Sequence, residues 1–212
     1  MHRSRSSLLL VALAACPGSR TAGTPSCPQD RTVVIGSQDD VKRHAACESL
    51  SSLTVRTGAP VDLTPMSTLV TISGDLDVGP TVGIEELKLS ELREVGGTVR
   101  IASNTSLLGL FLPRLEKAGR IEIESNASLT TIVLRRLTTV AGAFVVAQNS
   151  LLEVMDITEL ASVGKDLVVA DNPSLTLIEG GKLEVVQEVR IEGNKKLPPD
   201  AADGLRVKTP PP

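Results

Sequence analysis

Asparagines and apolar residues recur at a fixed spacing along most of this chain. Asn104 is followed by further asparagines at intervals of 22, 23, 23 and 22 residues. A β-branched residue precedes each asparagine by three positions, and a leucine follows each by three. Five such units are unlikely to arise by accident, so the chain is built from repeats. The repeated positions are Asn104, Asn126, Asn149, Asn172 and Asn194, preceded by Ile101, Ile123, Val146, Val169 and Ile191 and followed by Leu107, Leu129, Leu152, Leu175 and Leu197.

Each repeat predicts one coil of a β-solenoid. Alternating apolar pairs such as Val99 and Ile101 have the period of two that is expected of a strand with one buried face. No unit keeps a helical period for more than one turn, which disfavours helices. A single coil cannot bury its apolar face, so stacking on neighbouring coils must supply the remaining stability. Glycines two or three residues ahead of each pair mark a turn where a backbone bend or a positive φ is easy, namely Gly74, Gly97, Gly119, Gly142 and Gly164.

Counting backward by 23 residues finds two degenerate units. They are Leu76, Val78, Ile84, Leu87, Leu89, Leu92 and Val95, and then Leu53, Val55, Val61, Met66, Leu69 and Ile72. The sequence therefore predicts a mainly β, right-handed β-solenoid of about seven 22–23-residue coils over residues 51–197. The five asparagines are expected to form a structural ladder, because an amide side chain can satisfy the turn backbone of its own coil and of its neighbour.

The first residues predict the compartment. Residues 1–15 combine a basic start with an apolar run that ends in small residues, which is the pattern of a signal peptide. Leu13-Ala14-Ala15-Cys16 resembles the lipobox of bacterial lipoproteins. By that resemblance Cys16 becomes the lipidated first residue, and the protein is anchored in the bacterial cell envelope, in either membrane. The small, polar, Pro- and Gly-containing residues that follow predict a flexible tether over residues 16–26. An ordinary signal peptide with an incidental cysteine is the alternative.

The two remaining cysteines predict a disulfide. Without Cys16, the chain keeps Cys27 and Cys47, an even pair in an exported protein, where an oxidising environment favours a bridge. This bridge would staple an N-terminal cap over residues 27–50. At the other end, residues 198–212 are expected to form a C-terminal cap, with Leu205 covering the last coil, followed by a frayed tail.

Charge and composition exclude several partners. The 212 residues carry 22 basic and 25 acidic side chains. Removal of residues 1–15 takes away Arg3 and Arg5, which leaves 20 basic residues against 25 acidic ones and a charge of −5. Nucleic acid is therefore not expected as a partner. The absence of Tyr and Trp disfavours polysaccharide, which normally stacks on aromatic side chains.

No enzymatic chemistry is expected from the mature chain. It holds a single histidine, His44, in the predicted cap beside the predicted disulfide, so no catalytic triad can be built. Cys27, His44 and Cys47 offer three zinc ligands where a structural site needs four, and exported thiols oxidise. The sequence predicts neither a metal nor a cofactor.

One unit also resembles a known repeat family. The segment from Val99 to Gly119 follows the pattern L-x-I-x-x-N-x-x-L-x-x-L-x-L-P-x-L-x-x-x-G with Val at the first position, and it looks like the receptor L-domain repeat, a relative of the leucine-rich repeat. The resemblance covers about residues 27–197 and implies an L-domain-like solenoid with a Cys-bearing cap. The ligand-binding residues of the receptors do not carry over, because this chain lacks their aromatic and loop residues. Receptor signalling is therefore not implied.

The outward sheet face suggests a binding surface. Period-two counting gives an apolar centre formed by Ala143, Val145, Ala147, Val168 and Ala170. Charged residues flank it on the coils to either side, namely Arg120, Glu122, Glu124, Glu188, Arg190 and Glu192. Such a pattern suits contact with an unidentified protein, although the strand preference of valine would also explain it. A passive structural spacer and a polysaccharide-binding module are the alternatives.

Overall fold

The computed structural model describes residues 27–180, 183–201 and 205. Within these ranges the chain forms a parallel β-solenoid of about seven turns, with about 23 residues per coil, which confirms the predicted fold class. It has one α-helix, α1 (Gln38–His44), one 3-10 helix (Thr64–Met66) and the strands β1 (Thr32–Ile35), β2 (Ser49–Leu50), β3 (Ser52–Val55), β4 (Thr71–Ile72), β5 (Leu76–Val78), β6 (Glu86–Lys88), β7 (Glu94–Ala102), β8 (Gly109–Phe111), β9 (Lys117–Glu124), β10 (Thr131–Val133), β11 (Thr139–Val140), β12 (Phe144–Ala147), β13 (Val154–Asp156), β14 (Ser162–Val163), β15 (Leu167–Ala170), β16 (Leu177–Glu179) and β17 (Val189–Glu192).

The described strands form two parallel sheets on different faces of the coil. The main sheet has the order β1-β3-β5-β7-β9-β12-β15-β17, and the shorter strands β2, β4, β11 and β14 extend it. The second sheet has the order β6-β8-β10-β13-β16. Equivalent residues of successive coils pair directly: Ile121 pairs with Phe144, and Phe144 pairs with Leu167. This register places like side chains in columns along the solenoid.

The core is a stack of aliphatic side chains between the two sheets. The predicted inward positions are fully buried in the central coils, as at Ile101, Ile123, Val146 and Val169. The apolar residues of both degenerate units are buried as well, so the backward count was correct. In the last coil Ile191 is only partly buried, because no further rung of the main sheet follows β17 in the described residues.

The repeated glycines allow close approach of coils rather than a positive φ. A Cβ atom on Gly119 would lie only 2.6 Å from the backbone oxygen of Gly97. The Gly142 N–H donates to the Gly119 carbonyl over 2.6 Å. Neither glycine is among the described residues with positive φ. The expected bend is present at Gly74, Gly142 and Gly164, whereas Gly97 and Gly119 lie within strands. At Gly119 the neighbouring coil leaves no room for a Cβ atom.

The N-terminal segment closes one end of the core. The predicted Cys27–Cys47 disulfide is confirmed. Strand β1 already belongs to the main sheet, since it pairs with β3, and α1 follows it. Gln38 fastens this helix to the next coil, because its amide accepts from Asp62 N–H over 2.8 Å and donates to Asp62 O over 3.0 Å.

The opposite end is covered in part by Leu205. This side chain is buried, and it lies so close to Gly180 that a Cβ there would be 2.7 Å from Leu205 Cδ2. The predicted signal peptide (1–15), Cys16, the rest of the tether (to 26) and the tail (206–212) lie outside the described residues. In the part that is described, no helix has the length and apolar character needed to cross a membrane.

Candidate functional site

The asparagine column is a continuous hydrogen-bonded ladder inside the solenoid. At Asn149, Oδ1 accepts from Asn126 N–H over 3.1 Å and from Asn126 Nδ2 over 3.0 Å. Its Nδ2 donates to Ile123 O, to Ala147 O and to Asn172 Oδ1. One buried side chain thus joins the coil before it, its own coil and the coil after it. These contacts give the ladder a structural role rather than a role in binding a ligand.

The ladder begins one coil earlier than the asparagine pattern indicates. Thr81 is buried and donates its hydroxyl to Asn104 Oδ1 over 2.7 Å. The residue immediately before each asparagine adopts a positive φ, which turns the chain at this corner. These residues are Ser103 (59°), Ser125 (58°), Gln148 (57°), Asp171 (54°) and Gly193 (70°). The asparagine pattern did not include Thr81, because this residue is not an asparagine. Its short side chain can nevertheless donate and accept hydrogen bonds as an amide does.

The outward residues Ala143, Val145, Ala147, Val168 and Ala170, here called the Ala/Val patch, lie together on the exposed face of the main sheet. Val145 pairs with Val168, and Ala147 pairs with Ala170, across β12 and β15. All five are partly exposed, whereas the intervening Val146 and Val169 are fully buried. The predicted strand parity is therefore correct.

Charged residues border the patch on both neighbouring strands. On β9, Glu122 pairs with Val145 and Glu124 pairs with Ala147. On β17, Arg190 pairs with Val168. The pairing also puts Asp166 beside Ala143, at one corner of the patch, since the following residues Phe144 and Leu167 are partners. Period-two counting could have found Asp166, because it lies two residues before Val168.

The charged border is partly neutralised within the chain. The Glu122 carboxylate forms an ion pair with Arg120, with 2.6 Å between Nε and Oε1. It forms a longer ion pair with Arg100, with 3.6 Å between Nη1 and Oε2. Arg190 has weaker contacts, at 3.9 Å to both Asp166 and Glu188. Half of the Arg190 side chain is exposed (49%), against 19% for Glu122. The β17 side of the border therefore offers the more available charge.

A second apolar area lies on the outward face of the second sheet and was not predicted. Phe111 pairs with Val133, and Val154 pairs with Leu177. Phe111, Val133 and Val154 are partly exposed and Leu177 is exposed (42%). Period-two counting from the buried column of Leu110 and Ile132 would have found this area. We call these four residues the second-sheet patch.

A large concave region, polar in character, lies at the end of the second sheet. It has a volume of about 960 Å³ and is lined by Arg93, Glu116, Arg135, Arg136, Asp156 and Glu159, among others. Asp156 is buried, accepts from the Thr158 hydroxyl over 2.7 Å and lies 3.5 Å from Arg135. Arg93 also pairs with Glu116 over 3.2 Å, and no histidine is among the described residues that line the groove.

Candidate metal ligands do not cluster in the part of the chain that the structure describes. Within residues 27–180, 183–201 and 205, no group of three or more His, Cys, Asp or Glu side chains is arranged to hold a metal ion. Of the three zinc ligands considered from the sequence, Cys27 and Cys47 have their sulfur atoms joined to each other. The sulfur atoms are therefore not present as thiolates.

Comparison of the chain with protein-family models, with curated proteins and with solved structures found no match. The parallel β-solenoid therefore stands on the structure itself, and the likeness to the receptor L-domain rests on the repeat residues alone. The exposed faces of the two sheets, with their charges, are what the chain offers for a functional proposal.

Proposed function

We propose that this chain is a non-catalytic module that binds another protein through the Ala/Val patch. The observation that carries the proposal is the arrangement of five small apolar residues on one regular sheet face, with charged residues on the strands at both sides. Protein contacts commonly have an apolar centre that loses water and a polar border that remains solvated. Alanine and valine also leave the backbone accessible to close approach by a partner.

A passive spacer is the strongest alternative. Valine favours strands for reasons of packing alone, and small residues stack without difficulty in a parallel sheet. The two hypotheses differ in the role of the outward face, because a spacer does not bind a partner through it. Polysaccharide binding has less support, since the face carries no aromatic side chain on which a sugar ring could stack.

We further propose that the module is displayed in the bacterial cell envelope as a lipoprotein with a receptor L-domain-like fold. The lipobox-like residues Leu13 to Cys16 and the small, polar segment after them support the anchor. The repeat from Val99 to Gly119 supports the L-domain likeness. A lipid on Cys16 would hold the N-terminal end of the solenoid at the membrane and leave the later coils free to meet a partner.

Three aspartate substitutions test the binding face. Val168→Asp changes a partly exposed side chain in the patch, so we expect an unchanged melting temperature and reduced capture of a partner from envelope extract. Val169→Asp places an isolated charge in the core, where the desolvation cost is several kcal/mol, and should unfold the coil. Val154→Asp, on the second-sheet patch, is the matched control and should leave capture intact.

Each other outcome has a definite meaning. Unchanged capture by Val168→Asp would contradict the proposed function and favour the spacer. Loss of capture by Val154→Asp alone would move the contact to the second-sheet patch. If Val168→Asp and Val169→Asp each unfold the protein, the outward face is covered in the native protein.

A further inference from the structure

We propose that the partner on the Ala/Val patch is a second copy of this chain, packed face to face about a two-fold axis. The axis runs parallel to the strands and passes between β12 and β15. This inference rests on the proposed function, because it uses the same patch. It adds the identity of the partner and the register of the contact, both of which follow from the order of side chains on β9, β12, β15 and β17.

The axis brings like apolar residues together. It exchanges β12 with β15, so Val145 meets Val168 of the second copy and Ala147 meets Ala170 of the second copy. At the third outward level Ala143 meets Asp166 of the second copy, at the edge of the apolar contact. Strands that run in nearly the same direction in two packed sheets are the common aligned arrangement, with a crossing angle of roughly 30°. Small side chains at the centre allow the two sheets to approach until the borders touch.

The same axis brings opposite charges together at the borders. It exchanges β9 with β17, so Glu122 meets Arg190 of the second copy, and Arg120 meets Glu188 of the second copy. By symmetry each contact occurs twice, which gives four attractive pairs. Glu124 meets Glu192 of the second copy, which gives two repulsive pairs, and Asp166 lies beside its own copy across the axis, which gives a third. Attraction therefore exceeds repulsion in this register.

The other two-fold arrangement of the same faces is electrostatically worse. An axis along the stack of coils would place Glu122 against its own copy and Arg190 against its own copy, and it would bring Glu188 against Glu192 of the second copy twice. Only Arg120 and Glu124 would attract each other, also twice. Like-charge contacts across an interface suppress the wrong arrangement. The order of charges along β9 and β17 thus selects the axis parallel to the strands.

Arg190 is the residue best placed to carry the contact. Its two intrachain acidic neighbours lie at 3.9 Å, beyond hydrogen-bonding distance, and half of its side chain is exposed. Glu122 keeps free acceptor positions beside its pair with Arg120, because a carboxylate can accept several hydrogen bonds. A new pair between Arg190 and Glu122 therefore breaks no strong contact within either chain.

The size of the contact predicts a weak dimer. Four strands about 4.8 Å apart, each with three outward positions, cover a footprint of roughly 400 Å² per copy. Stable interfaces bury about 800 Å² per partner. Self-association should therefore appear only at high protein concentration.

Charge reversal across the axis tests the inference. Sedimentation equilibrium of the purified protein, from about 10 µM to about 1 mM, should show a monomer–dimer equilibrium. Arg190→Glu and Glu122→Arg should each weaken the dimer about tenfold or more, because each puts like charges together twice. An equimolar mixture of the two variants should associate again, since each mixed dimer regains attractive pairs at both places. Melting curves of both variants verify that they are folded.

A gain of affinity provides the sharper test. Glu192→Lys converts the two repulsive contacts with Glu124 into attractive ones and should strengthen the dimer several-fold at low salt. Glu179→Lys, on the second sheet, changes the net charge equally and should have no such effect. If the patch bound only a different protein, Glu192→Lys and Glu179→Lys would not be expected to differ in self-association.

The outcomes separate this inference from the proposed function. A protein that remains monomeric at every concentration, or a dimer that neither charge reversal changes, overturns the two-fold contact. If Val168→Asp still reduces capture of another envelope protein in that case, the proposed function survives. If the dimer forms but Val168→Asp leaves it intact, the contact lies on another face and the inference is wrong.

Discussion

Single asparagine side chains hold consecutive coils of this solenoid in register. Each central asparagine uses its amide group for backbone and side-chain contacts that span three coils, as at Asn149. A backbone N–H or C=O group that loses such a partner in the interior cannot be reached by water and costs about 1–3 kcal/mol. The chain also turns beside each asparagine, where the preceding residue adopts a positive φ.

Asn149→Ala should therefore lower the free energy of unfolding by about 1–3 kcal/mol. The substitution leaves Asn126 N–H and Ile123 O without their partners in a fully buried position. Chemical denaturation measures the change. Asn194→Ala is the control, since this last rung is only partly buried and water can replace its contacts, so a smaller loss is expected. If wild type and Asn149→Ala have the same free energy of unfolding, the asparagine ladder does not stabilise the stack of coils.

Among the elements, α1 depends on a small network around Asp40. Ser37 Oγ donates to Asp40 Oδ2 over 2.7 Å, and this hydrogen bond is the main cause that holds the pKa of Asp40 below its ordinary value of 3.8. The Gly36 N–H and the Arg43 guanidinium act in the same direction, while burial opposes them. Ser37 in turn accepts from Asp40 N–H and caps the helix. The helix start and the charge of Asp40 therefore support each other.

The lowered pKa of Asp40 makes the stability of this element depend on pH. Since the folded-state pKa lies below the unfolded-state value, the carboxylate stabilises the fold above pH 3.8, and this contribution is lost as the pH falls through the folded-state pKa. Asp40→Asn should cost at most about 1 kcal/mol at neutral pH, because the site is near the surface.

Urea denaturation at neutral pH and at about pH 2.5 measures that difference. The difference between Asp40→Asn and wild type should shrink at the lower pH, because a larger fraction of the native carboxyl is protonated there. Asp39→Asn is the matched control, because Asp39 lies in the same helical turn and its ion pair with Lys42 is exposed. An equal loss in both variants at neutral pH would mean that general charge effects, and not the Asp40 network, govern the element.

At the scale of the whole molecule, the solenoid is a one-dimensional stack whose two ends differ. The Cys27–Cys47 disulfide and α1 lie at the N-terminal end, and Leu205 lies at the other. The eight main-sheet rungs span about 34 Å at the usual strand spacing. Strands β12 and β15 are the sixth and seventh rungs, so the Ala/Val patch lies roughly 25 Å from the first rung.

This separation gives the proposed lipid anchor a testable consequence. If Cys16 carries the lipid, the anchor attaches at the N-terminal end and the patch lies towards the distal end. Mass spectrometry of the protein from its native membrane should therefore find a diacylglycerol-type mass on an N-terminal Cys16. Cys16→Ser should move the protein from the membrane fraction to the soluble fraction, whereas the double variant Cys27→Ser/Cys47→Ser should not. A mature N-terminus at another residue would contradict the anchor.

The sequence by itself determined the number of coils, the buried columns, the strand parity at Val168 and Val169 and the pairing of Cys27 with Cys47. The coils, the columns and the parity follow from local periodicity and from a repeat of about 23 residues, whereas the disulfide follows from the two cysteines that remain when Cys16 is set aside. Residues that are about 23 positions apart in the sequence come into contact when the coils stack, because equivalent residues of neighbouring parallel coils pair directly.

Only the tertiary structure decided the corners and the surface. The positive φ fell on residues such as Ser103 and Gln148 rather than on the repeated glycines, because closure of each coil fixes the backbone there whatever side chain is present. Thr81 joined the ladder through its position next to Asn104. The ion pairs around Glu122 likewise depend on which outward side chains the folded coils bring together, and inward periodicity places no constraint on them.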